Sequence, residues 1–138
     1  MLSKLGNYYL DQLVKEAKEL KEFNFIEYSI HYASGSVKLK GEKIYHGEEV
    51  FKGWKTTIGV VNGKVYKICV DIVLENSKEL DDLFSKIMSW LKNEMGNPIE
   101  NTNPLWMWKA AEGNVVLQKS KNYLGVFLTS RSIRYQSK

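Results

Sequence analysis

Residues 54–74, WKTTIGVVNGKVYKICVDIVL, and the run that follows them, 75–98, ENSKELDDLFSKIMSWLKNEMGNP, decide how this chain folds. In the first run Trp54, Thr56, Ile58 and Val60 precede Asn62-Gly63, and Tyr66, Ile68, Val70, Ile72 and Leu74 follow it. A period of two puts each set on one face of a strand, so the run reads as a β-hairpin with one face in a core. A two-residue Asn-Gly turn would set Ile58 against Lys67 and Trp54 against Asp71, pairing apolar residues with charges. A three-residue loop, Val61-Asn62-Gly63 with Gly63 left-handed, sets Ile58 against Tyr66 and Trp54 against Val70. Because a buried face fixes register, the sequence favours the three-residue loop.

The second run changes period. Leu80, Leu83, Phe84, Ile87, Met88, Leu91 and Met95 recur at three and four, the stripe of an amphipathic helix. Asn76 and Ser77 open it, Glu79 stands where a capping box needs it, and Asp81 and Asp82 favour the positive end of the helix. Gly96 and Pro98 close it. Seven apolar side chains on one face make this helix the expected lid on the sheet.

Working outward, Tyr9, Leu10, Leu13, Val14, Ala17 and Leu20 predict a shorter amphipathic helix over 7–22 with Asn7 as N-cap. Ile26, Tyr28, Ile30 and Tyr32 alternate with Glu27, Ser29 and His31, and Val37-Lys38-Leu39-Lys40 alternates again beyond Ser34-Gly35, so a hairpin spans 24–40. Residues 41–47 read as a loop or irregular edge and 97–103 as a polar connector. Three strands follow, over 105–111, 115–118 and 123–130, separated by turns at 112–114 and 120–122. Short turns between consecutive strands mean antiparallel pairing. The sum is a single α+β domain over 1–138: an antiparallel β-sheet of about six to seven strands, with the long helix and the N-terminal helix packed on one face or end.

Composition sets outer bounds. With 138 residues, 43% hydrophobic and 26% charged, the chain suits one folded core rather than a disordered segment. Met1 to Leu20 interleaves Lys4, Asp11, Lys15 and Glu16 with apolar residues and does not read as a signal peptide, and no apolar run approaches membrane-spanning length. The single cysteine, Cys69, has no internal partner for a disulfide, so the cytoplasm is the expected compartment.

Candidate chemistry is sparse. Two histidines and one cysteine supply no zinc spacing, and no phosphate-cradling loop, dinucleotide turn or nucleophile elbow is written in the chain, so neither metal nor cofactor is expected and no catalytic set is assigned. Cys69 shares one strand side with Lys67 and Asp71 and could act as a nucleophile with His31 or His46 as base, although a lone cysteine equally suits a core. Trp106 and Trp108 project from one side of a strand; with Trp54 and Tyr66 they could line a pocket for a flat ligand, a sugar or a peptide side chain. Core packing is the competing role for the same rings, and exposure decides between the two. Residues 113–138 carry five basic and no acidic side chains, Lys119, Lys121, Arg131, Arg134 and Lys138, against 15 basic and 16 acidic over 1–112. These could hold phosphates, with Tyr123 or Tyr135 stacking on bases. Two functions therefore stand: a non-enzymatic binding or protein-interaction module, a homodimer included, using a sheet face or the tryptophan region; and, as the alternative, a nucleic-acid-associated protein using the basic C-terminal strands.

Overall fold

The computed structural model describes residues 4–5, 8–9, 21–22, 43–102, 104–109 and 113–130. Among them lie ten strands and one helix: β1 (Lys4–Leu5), β2 (Tyr8–Tyr9), β3 (Lys21–Glu22), β4 (Lys43–His46), β5 (Lys55–Val61), β6 (Lys64–Val73), α1 (Ser77–Met95), β7 (Glu100–Thr102), β8 (Leu105–Lys109), β9 (Gly113–Lys119) and β10 (Tyr123–Ser130). The architecture is α+β, with one antiparallel sheet ordered β3-β4-β5-β6-β10-β9-β8-β7 and a separate β1-β2 ladder. Among the described residues the sheet ends at β7 on one side and on the other at β3, which is two residues long.

The β5–β6 hairpin differs from the sequence expectation at its turn. Asn62 and Gly63 have φ of 53° and 76°, both positive, which a tight two-residue hairpin turn requires, and Val61 pairs with Lys64 across it. Val60 then faces Val65, but Gly59 faces Lys67, so Tyr66 is an extra residue on β6. Beyond that bulge Ile58 faces Ile68 and Thr56 faces Val70. The expected three-residue loop is thus not formed, and neither register weighed from the sequence holds beyond the bulge. The constraint behind the expectation, apolar against apolar, is met by a bulge in the strand rather than by a longer turn. Tyr66 consequently leaves the face of Ile68 and Val70 and packs with Val61 instead.

The helix forms as its sequence directs. The Asn76 side chain accepts hydrogen bonds from the N–H groups of Lys78 and Glu79 at 3.0 and 3.1 Å, and Gly96, with φ of 81°, closes the last turn through its N–H to Lys92 O at 2.8 Å. Leu80 and Leu91 are fully buried, while Leu83, Phe84, Ile87, Met88, Trp90 and Met95 are partly buried against the same core. Beneath them lie Ile58, Val60, Ile68, Val70, Val115, Leu117, Leu124, Val126 and Leu128 of β5, β6, β9 and β10. At 1.5 Å per residue a helix of this size is about 28 Å long. That exceeds the four inter-strand steps, about 19 Å, from β6 to the edge strand β7. The chain therefore leaves the middle of the sheet, crosses one face, and returns as the meander β7-β8-β9-β10, whose last strand pairs with β6.

Several boundaries shift. Residues 43–46, expected in a loop or irregular edge, form β4, and residues 100–102, expected in a connector, form β7. The N-terminal helix expected over 7–22 lies outside the described residues, apart from Tyr8–Tyr9 and Lys21–Glu22, which are extended and paired. The hairpin expected over 24–40 also lies outside them. The β2 strand comes close to β6.

Leu80→Ala and Leu91→Ala are each expected to lower the unfolding free energy by about 2–5 kcal/mol, read from urea midpoints. The exposed Lys86→Ala should change it by under about 0.5 kcal/mol. Similar small losses at all three positions would mean that α1 is not seated on the sheet.

Candidate functional site

The face of the sheet turned away from α1 carries an unusual number of polar groups for its burial. Along β6 it presents Lys67, Cys69 and Asp71, with relative exposures of 3%, 0% and 8%. Thr57 faces Cys69 from β5, Lys55 faces Asp71, and Phe127 and Gly125 of β10 stand opposite Cys69 and Asp71 on the other side. A lysine and an aspartate in the middle of a strand cost desolvation, so they persist only where partners hold them.

Asp71 is held through its Oδ2, which accepts the Tyr123 hydroxyl at 3.0 Å and a long 3.7 Å contact from the Cys69 thiol. Burial raises its pKa above the ordinary carboxylate value; the hydroxyl of Tyr123 and the charge of Lys55 work in the other direction and are outweighed. Reaching Asp71 takes Tyr123 across the backbone of Gly125. A Cβ on Gly125 would stand 2.5 Å from the Tyr123 hydroxyl and 2.9 Å from its ring carbon Cζ. The absent side chain at 125 is what admits the tyrosine. On the same face, Lys67 Nζ lies 5.1 Å from the centre of the Tyr66 ring.

Cys69 is fully buried. Complete burial pushes its thiol well above the ordinary range, and the Asp71 carboxylate adds to the shift while Lys67 opposes it. Attack requires a thiolate, and burial of this kind disfavours the thiolate. His46 shares its row, but stands two strands away, facing Thr57, which in turn faces Cys69. Two inter-strand steps are about 10 Å, beyond hydrogen-bond reach. Partial burial and the charge of Lys55 hold the His46 pKa below its ordinary value. His31 lies outside the described residues.

The tryptophans do not gather into one pocket. Trp54, just ahead of β5, is 6% exposed and packs edge-on against Phe51 at 5.4 Å, which meets Trp90 of α1 at 6.0 Å in the same way. Trp108, on β8 four strands away, is 1% exposed, and its Nε1 donates to Gly96 O at 2.9 Å, tying the end of the helix to the sheet. Trp106 shares a face with Trp108, facing Leu117 where Trp108 faces Val115, but it is only half-buried and leans on Phe84 at 4.9 Å. Beside it runs the edge strand β7, with Asn101 opposite Trp106 and Ile99, 56% exposed, bonded through its N–H to Met107 O. Trp106 and Phe84 thus pack together beside the edge strand β7, and Ile99, just ahead of that strand, is exposed.

The basic residues divide as well. Lys119 is engaged by Asp81 of α1 at 3.1 Å and lies over the Phe84 ring. Lys121 is exposed in the turn before β10. Arg131 and Arg134 lie outside the described residues. Among the described residues no group of three or more His, Cys, Asp or Glu could hold a metal ion, and no helix is long and apolar enough to cross a membrane.

Sequence reasoning placed Lys67, Cys69 and Asp71 on one strand side but did not connect them to Tyr123. The available signal was an aspartate inside a near-continuous apolar strand and a glycine inside another. Comparison with protein-family models, curated proteins and solved structures returns no match.

Two outcomes test the buried cluster. Gly125→Ala should cost about 1–3 kcal/mol through overpacking, and distinctly less in a Tyr123→Ala background; additive costs would mean the two residues are not in contact. Asp71 has a folded pKa above its unfolded value, so its contribution to stability is full below the unfolded value and is lost as pH rises through the folded one. Asp71→Asn removes that loss. The variant's stability relative to the parent should therefore climb with pH in the window just above the ordinary aspartate value of 3.8, then level off. A relative stability that falls over the same window would mean that Lys55 and Tyr123 favour the carboxylate more than burial opposes it.

Proposed function

We propose that this chain is a non-enzymatic binding module that holds a protein partner along the β7 border of its sheet. What supports the reading is an apolar strip in which half-buried Trp106 packs on Phe84 and exposed Ile99 stands just ahead of the same edge strand. An edge strand offers backbone groups for pairing, and an aromatic with part of its surface in water is a common anchor in protein interfaces. Trp54 and Trp108 serve this reading as scaffold, because both are spent on the core and Trp108 pins the helix beside the strip. Supporting a non-catalytic role, the Cys69 thiol is buried, which disfavours its thiolate, and His46 is out of its reach.

The nucleic-acid reading draws less support. Of its four basic residues Lys119 is already turned to Asp81, and a side chain held by an acid of its own fold has less to give a phosphate.

A photo-reactive amino acid placed at position 99 tests the proposal, with position 73 as control, since Val73 is also apolar and 68% exposed but lies at the far end of β6. After irradiation in cell extract, position 99 should give one dominant protein adduct that Trp106→Ala reduces about tenfold, while position 73 should not; a tenfold change is about 1.4 kcal/mol of binding. An adduct of equal strength at both positions, one indifferent to Trp106→Ala, or one destroyed by nuclease would overturn it.

A further inference from the structure

We draw no further inference here: the strongest candidate, the buried Asp71, Tyr123 and Cys69 cluster at the centre of the sheet face turned away from α1, carries nothing more because nothing among the described residues shows what covers it.

Discussion

Ile58 stands opposite Ile68 because one additional residue, Tyr66, is taken up in β6 between the Asn62-Gly63 turn and the body of the hairpin. A two-residue turn continued in regular register would put Lys67 opposite Ile58, and with it would bring Lys67, Cys69 and Asp71 beneath the helix. Burying two charges against the apolar stripe of α1 would cost several kcal/mol each without partners. The bulge reverses that assignment for every residue of β6 beyond it. The rest of the sheet inherits the result, since Ile68, Val70 and Ile72 of β6 face Leu128, Val126 and Leu124 of β10, and Val126 and Leu128 face Leu117 and Val115 of β9. Those two face Trp106 and Trp108 of β8. One inserted residue thereby sets which side chains of four strands meet the helix.

The same parity sends the polar members of β6 to the opposite face, where they are not left to water. Asp71 receives a hydroxyl from Tyr123, and Gly125 supplies the space that the tyrosine crosses. This is a local solution to a local problem, in which a carboxyl group that the register forces inward is partnered by a residue two positions along the next strand from its Cα partner. The burial that shelters the carboxyl also raises the thiol of Cys69. At the periphery, the meander brings Trp106 and Ile99 to the outer border of the sheet and the helix sets Phe84 alongside.

Periodicity made the helix legible to within a residue, because seven apolar positions at three and four spacing, an Asn N-cap and a Gly C-cap all point one way. The strand pair around Asn62-Gly63 was legible in kind and in its apolar partnership but not in its turn. Sequence alone treats register as the consequence of loop length, whereas here the strand itself carries the correction at Tyr66. Strand β7 was missed and β4 was legible only as a loop or irregular edge, since each is short, so that pairing with a neighbour and not intrinsic pattern makes them extended. Of the proposed tryptophan site only Trp106 keeps exposed surface, a distinction that identical residue types two positions apart cannot announce. The Asp71 and Tyr123 contact joins residues 52 positions apart and had no local signature.

Cross-strand proton contacts measured by NMR on the isotopically labelled chain test the central claim most directly, because they read register without reference to any side-chain rotamer. The bulge at Tyr66 requires contacts placing Ile58 opposite Ile68, Thr56 opposite Val70 and Val60 opposite Val65 in the same molecule. Contacts placing Ile58 opposite Lys67 or opposite Tyr66 would contradict it, and with it the division of the sheet into an apolar face under α1 and a polar face behind.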